Sequence, residues 1–289
     1  MSSDITSTYQ AYYDPIVKQE YQGVMALKGA VRIKTGFEGN TVDFRAFGKG
    51  VAQPRGPLAS DVPVMGNTYQ KSTATMADYT AFDYTDIFSQ AKVNFNEVTL
   101  QAESSAMAVG RMCDQFIINA MDGATVPSGN DIANGSTNFT FAKVQAAAKR
   151  LKKLNVPKDE RYFLIDAEAE AALLSETKAT SGDYVVNKPL QNGTLDGETW
   201  YGFKWIVIGD RDEGGLPVSG NIHTGFAFHG GARGCLGLGM GMDFKSSIDW
   251  IADKQSWLVG SKFSAGAVAI KDSDDGVQGL VKVDYDVTA

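Results

Sequence analysis

The sequence predicts an α+β chain in which one long helix follows a β-finger and precedes a closing set of antiparallel strands. Three observations carry this. The stretch "RAFGKGVAQPRGPLASDVPVMG", residues 45–66, holds three of the eight prolines and four glycines between two runs of β type. From Glu97 to Met121 the apolar residues step by three or four positions, the spacing of one helical face. After Gly241 the period falls to two, as in a strand with one buried side.

Taken in order, residues 1–13 are polar with scattered tyrosines, and "DPIVKQEYQGVMALKG" offers Asp14 as a helix cap with Pro15 in the first turn. Val31, Ile33 and Phe37 alternate as a strand leaving that helix. "TVDFRAF" and "TYQKSTATMADYT", one on each side of the Pro/Gly stretch, form a long two-stranded finger. A hairpin with so little apolar area is marginal by itself and needs something to lie on.

The long helix presents Val98, Ala102, Ala106, Val109, Cys113, Phe116 and Ala120, with Gly110 as its weak point. At 1.5 Å per residue it spans about 37 Å. "DGATVPSGNDIANGSTN" is a loop. A second helix starts at a Thr140 cap, presents Phe141, Val144, Ala148, Leu151 and Leu154, and stops at Asn155 and Pro157. "RYFLI" reads as a buried strand and Asp166 as the cap of "AEAEAALLSE", which together make a small α/β region.

A polar loop, Lys178 to Gly193, precedes the aromatic strand "WYGFKWIVIG" and the turn "DRDEGG". Beyond it, Met242, Phe244, Ile248 and Trp250 face one side and Asp243, Lys245 and Asp249 the other. "IADKQ" is a turn, "SWLVGSKFSAGAVAI" the return strand, "KDSDDG" a turn and "VQGLVKVDY" the last strand, so the chain ends in antiparallel sheet.

Composition bounds the function. At 289 residues the chain makes one large domain or two modest ones, and 43% hydrophobic with 21% charged residues excludes a wholly disordered chain. Lys and Arg number 27 against 34 Asp and Glu, a formal net charge of −7. A sequence-reading DNA binder needs a basic face, and the longest basic run is the helical "KRLKKL". An acidic surface next to packed DNA is consistent with the count, because like charge prevents sticking. Cys113 and Cys235 are too few for a disulfide framework and read as buried thiols. The start "MSSDITSTYQ" lacks a signal peptide's basic and apolar regions, and no apolar stretch approaches about 18 residues. The expectation is a protein made and kept in cytoplasm-like solution, with no membrane partner.

No catalytic constellation emerges. His223, His229 and Cys235 are zinc-ligand types at six-residue spacing, but zinc sites use tight ligand pairs and the intervening glycines oppose one straight strand. "GCLGLGMG" precedes β-type alternation rather than a helix, so its glycines serve close backbone approach or bending rather than phosphate binding. "SETK" at Ser175 and "KTG" at Lys34 stand in the wrong order for a penicillin-recognising enzyme. "DSDDG" from Asp272 has Val283 where a calcium loop needs Glu, and Asp159 with Glu160 are solvated turn residues. The chain is expected to be no enzyme and to use no cofactor or metal.

The order of elements resembles the major capsid protein of tailed bacteriophages, the Hong Kong 97 type of fold, over nearly the whole chain. The finger from Gly39 to Thr85 resembles that family's extended loop, Glu97 to Met121 its spine helix, and "LKKLNVPKDERYFLIDAEAEAALLSE" part of its axial domain. The closing "DKQSWLVGSKFSAGAVAI" resembles the end of many such chains. The resemblance implies an N-terminal arm at 1–38, an extended loop at 39–92, a peripheral domain with the spine helix at 93–128, an axial domain at 129–235, and peripheral strands with the C-terminus at 236–289. It implies self-assembly as pentamers and hexamers into an icosahedral head in the virion, assembled in the host cytoplasm around double-stranded DNA contacted non-specifically.

A separate scaffolding protein is an implied partner, because the chain starts directly at the arm; a portal protein is another, and a decoration protein is an optional one. Inter-subunit contacts are expected at Lys49, Pro54, Arg55, Pro57 and Asp61 of the finger and at Asp253, Lys254 and Gln255 of the "IADKQ" turn. Covalent crosslinking is not expected: Lys49 could supply a finger lysine, but no asparagine follows Asn221. Three alternatives stand beside this reading. They are an encapsulin-like nanocompartment shell with enzyme cargo, an enzyme built around His223, His229 and Cys235, and a β-rich tail module, which the helices of the first half oppose.

Overall fold

In the computed structural model, which describes residues 22–58, 60–93, 96–176 and 194–289, β-type runs from distant parts of the chain meet in sheets, and helices cover their apolar faces. A 3-10 turn at Lys28–Ala30 leads to β1 (Arg32–Thr35). β2 (Thr41–Phe47), β3 (Tyr69–Thr75) and β4 (Ala77–Asp86) follow, then α1 (Ile87–Gln90) and α2 (Glu97–Asp122). The middle holds β5 (Asp131–Ile132), α3 (Phe141–Lys153), β6 (Arg161–Asp166), α4 (Ala167–Ser175), β7 (Thr199–Trp200) and β8 (Phe203–Ile208). β9 (Val218–Ser219), β10 (Ile222–His229), β11 (Leu236–Ile251), a 3-10 turn at Ala252–Lys254, β12 (Ser256–Ala269) and β13 (Leu280–Asp286) close the chain.

Among the described residues, one sheet runs β1-β11-β12-β4 and a second β5-β13-β10-β6-β8-β7, with β9 added to β10. β2 and β3 pair only with each other, from Thr41 opposite Thr75 to Phe47 opposite Tyr69. α2 bridges the two larger sheets. Its Val109, Cys113, Ile117, Ile118 and Met121 share a core with Leu238, Met240 and Phe263 of the first and Leu164, Phe226 and Phe228 of the second. α3 and α4 cover another face, packing Val144, Leu151 and Leu173 on Phe163, Val281 and Tyr285.

Local chemistry explains the helix starts. Asn96 caps α2 by accepting the Thr99 N–H at 3.3 Å, and Asp166 caps α4 by accepting that of Ala169 at 2.7 Å. At α3 the Thr140 side chain makes no cap hydrogen bond, and Glu176 instead accepts the Phe141 N–H at 3.2 Å. Buried Lys143 donates to the carbonyls of Asn134, Thr137 and Asp284 at 2.8 to 2.9 Å, and burial lowers its pKa to about 8.

Several expectations change. The helix expected from Asp14 lies mostly outside the described residues, and from Gln22 to Leu27 the backbone is not helical. There, buried Asp114 of α2 accepts the N–H groups of Ala26 at 2.9 Å and Leu27 at 3.0 Å, and Arg211 Nη1 stands 3.5 Å from the same carboxylate. Gly110 is where that segment crosses α2, since a Cβ there would lie 3.1 Å from Met25 Cβ. In the first half of α2, Ala106 is exposed, while Ser105 is buried with its Oγ 3.2 Å from Ser261 Oγ.

"TYQKSTATMADYT" is two strands: at Met76 the chain leaves the finger, and β4 pairs with β12 at the edge of the first sheet. "WYGFKWIVIG" is a hairpin, turned at Tyr201 (φ 53°) and Gly202 (φ 80°) so that Trp200 pairs with Phe203. The last strand leaves β11 and β12 to lie between β5 and β10 in the second sheet. In β11 the pairing with β12 shifts register between Met240 and Lys245, and Ile248 and Trp250 are exposed where one-sided burial was expected. The Lys178–Gly193 loop lies outside the described residues.

Candidate functional site

The finger is anchored at its root and bare at its tip. Val42, Phe44 and Ala74 pack with Ile270 in a small separate core. The glycines of β11 admit this contact, because a Cβ at Gly237 would lie 2.7 Å from the Phe44 ring and one at Gly239 2.3 Å from Val42 Cγ1. Close backbone approach, one of the two glycine roles expected from the sequence, is thus used at Gly237 and Gly239, while Gly241 lies where β11 shifts register with β12. Along the stem, Asp43 pairs with Lys71 at 2.9 Å and accepts the Thr73 hydroxyl at 2.7 Å. Those two hydrogen bonds hold its carboxyl below the ordinary range.

Beyond the Phe47 and Tyr69 rings, 4.9 Å apart edge to face, the tip contains no strand or helix among its described residues. Gly48 N–H to Thr68 carbonyl, 2.8 Å, closes its neck. Leu58, Val62 and Val64 are 98%, 89% and 85% exposed, and Val51 and Met65 are also exposed. At about 25 cal/mol per Å² of apolar area, covering side chains of this kind is worth about 1.5 to 3 kcal/mol each. Exposed apolar residues gathered on one segment mark a contact surface.

Lys49, Pro54, Arg55, Pro57 and Asp61 all lie exposed on this tip. Asp253, Lys254 and Gln255 are exposed at the turn between β11 and β12, where Gln255 takes the left-handed conformation at φ 48°. Lys254 is engaged within the chain: its Nζ donates to the Tyr84 hydroxyl at 2.8 Å and lies 4.0 Å over that ring.

Sequence reasoning missed the apolar partners of both places. At the tip these are Leu58 together with Val62, Val64 and Met65, the last three readable in the apolar residues of "DVPVM". At the turn they are Trp250 and Trp257, paired across the strands at 5.2 Å, with Ile248, Ile87 and Phe88 also exposed. A tryptophan on each side of a tight turn was the available signal.

Of the residues of the enzyme alternative, His229 and Cys235 come together, the Cys235 N–H donating to the His229 carbonyl at 2.9 Å, while His223 stands apart. His223 and His229 sit at opposite ends of β10, about 20 Å apart at a strand's rise per residue. His223 Nδ1 is bound to Asp166, the α4 cap. His229 is buried, which lowers its pKa. Cys235 donates to the Gly279 carbonyl at 3.4 Å, and burial pushes its thiol, like that of Cys113, up to about 12, away from the thiolate form. Among the described residues no group of three or more His, Cys, Asp or Glu could hold a metal ion, and no helix is long and apolar enough to cross a membrane.

A polar cleft is lined by Gln22, Arg111, Asp166, Asp210, Arg211 and His223, among others, and several of these side chains engage one another or a neighbour. Arg111 donates to Gln22 at 2.9 Å, Arg211 faces Asp114 and His223 faces Asp166.

A family model described as phage capsid protein matches residues 5–287. No curated protein matches by sequence. Among solved structures, the capsid of the cyanophage P-SCSP1u superposes with a TM-score of 0.72 at 12% identity, covering 98% of this chain and 94% of that one. A Mycobacterium phage Cain structure gives 0.69 at 15% identity, with 99% and 98% covered. The capsid of a native GTA particle gives 0.69 at 12%, also with 99% and 98% covered.

Proposed function

The chain belongs to the phage capsid protein family and has the Hong Kong 97 type of fold, and from that premise we propose that its finger tip and its β11–β12 turn are the surfaces through which copies join. Its role is that of a major capsid protein, a structural part of the virion. The observation that carries the proposal is the bare tip, whose Leu58, Val62 and Val64 no described residue of this chain covers.

In this reading the α2 region and the sheet of β11 and β12 form the peripheral domain, and the sheet around β6 and β10 the axial domain. Copies gather as pentamers and hexamers that close an icosahedral head around double-stranded DNA in the host cytoplasm. Scaffolding and portal proteins act separately, a decoration protein is optional, and the chain carries out no catalysis. Part of the finger's burial, that of its tip, comes only on assembly, so the order of the tip depends on protein concentration. Pro54, Pro57 and Pro63 limit the freedom the tip loses when it docks.

The test is electron microscopy of the purified chain, expressed alone and with its neighbouring genes, with nuclease protection of any particles. Closed shells enclosing protected DNA are expected. Shells filled with protein cargo would transfer the fold to a nanocompartment, and a discrete small oligomer under every condition would overturn the reading.

A further inference from the structure

From Phe141 to Lys158 the sequence holds Lys143, Lys149, Arg150, Lys152, Lys153 and Lys158 and no Asp or Glu, in a chain of net charge −7. The structure sorts these residues by direction. Lys143 is buried on the sheet side of α3 with Val144, Ala147, Ala148 and Leu151. The opposite face is exposed and consists of Ala142, Gln145, Lys149, Lys152 and Lys153, with exposed Lys158 just beyond the helix end. None of the ion pairs among the described residues uses Lys149, Lys152, Lys153 or Lys158. The nearest acids in sequence are Asp159 and Glu160, and the Glu160 carboxylate lies against Gly231.

Favourable interaction with the helix dipole accounts for basic residues in the last turn, Arg150, Lys152 and Lys153. It does not require Lys158 beyond the end, nor the lack of any acid along the exposed face. Exposed lysines at 149 and 153 stand one turn apart, about 6 Å, and the phosphates of a duplex strand recur about every 3.4 Å of its axis, so both lysines can reach phosphates of one strand. The face offers no aromatic or large apolar anchor for a protein partner.

We infer that the exposed face of α3, formed by Lys149, Lys152 and Lys153 and extended by Lys158, is a sequence-independent contact surface for the phosphate backbone of double-stranded DNA. The capsid reading bears on this only by supplying such DNA as a partner. The contact is local: the rest of the chain is more acidic than its net charge suggests, so DNA would be touched at this face and repelled elsewhere.

The test is anisotropy of a labelled DNA duplex with the unassembled full-length chain across a salt series, for the wild type, Lys149→Gln/Lys152→Gln/Lys153→Gln, and a control, Lys92→Gln/Lys245→Gln. Each lysine on a phosphate contributes about 0.9 to the slope of log K against log salt, so the triple variant should be shallower by about 2.7 and the control unchanged. Three results overturn the inference: no wild-type binding at low salt, equal loss per lysine in the control, or tighter binding to polyglutamate than to DNA. Shells with an unchanged DNA slope would refute this inference alone, whereas a lost slope in a chain that never forms shells would refute the capsid reading alone.

Discussion

The ring of Phe44 occupies the space in which a side chain on Gly237 would begin, because a Cβ there would lie 2.7 Å from the ring. The finger root and the long strand β11 are thereby fitted to one another. Gly237→Ala in a strand would ordinarily stabilise by reducing unfolded-state freedom. Here overpacking decides the sign, and the substitution should cost about 1 to 3 kcal/mol. Chemical denaturation measures the loss, and hydrogen exchange should locate it at Val42 and Phe44.

Asp114 fastens the segment before β1 to α2 by accepting two backbone N–H groups while facing Arg211. Asp114→Ala removes all of these partners at a buried position, and breaking one side of a buried pair costs about 3 to 5 kcal/mol. The amides of Ala26 and Leu27 should lose protection first.

The finger stem should respond to acid. The Asp43 carboxyl is held below its ordinary value by the Lys71 and Thr73 hydrogen bonds, so the folded stem favours the ionised form. A depressed folded pKa stabilises above the unfolded value of about 3.9, and that stabilisation is lost as pH falls through the folded value. Stem amides in β2 and β3 should exchange faster, after correction for intrinsic rates, as pH drops below about 4. In Asp43→Asn that pH dependence should disappear.

Replacing Leu58, Val62 and Val64 together with serine should leave the unassembled chain about as stable as before, because exposed substitutions away from special features stay within about 0.5 kcal/mol. Assembly should fail. Sedimentation for particles, with thermal denaturation of the unassembled fraction, separates the two effects. A large fall in stability would mean that the tip packs on its own chain.

How much of this was legible depended on whether a signal was local. α2 was readable almost to its ends, Glu97–Asp122 against an expected Glu97 to Met121, because its apolar stripe persists over many turns. The Asp166 cap and strands β6, β11 and β12 carried equally local signals. The hairpin in "WYGFKWIVIG" was hidden by strand-forming aromatics around Tyr201, and Gly202 was its only cue. That β13 joins β10 rather than β12 is a long-range choice that no window of sequence contains. The same holds for Asp114, whose partners Ala26 and Leu27 are backbone amides and leave no trace in side-chain chemistry. At the finger tip, the apolar residues are set among prolines, glycines and charges and sustain neither a helical nor a strand period.

The central claim is that the bare tip becomes an interface between copies, and a cryo-electron microscopy reconstruction of particles from the purified chain tests it most directly. The account predicts closed shells in which Leu58, Val62 and Val64 of each copy are buried against a neighbouring copy. Shells in which those side chains remain in solvent would contradict it, and so would a chain that stays a small oligomer with its tip folded back on itself.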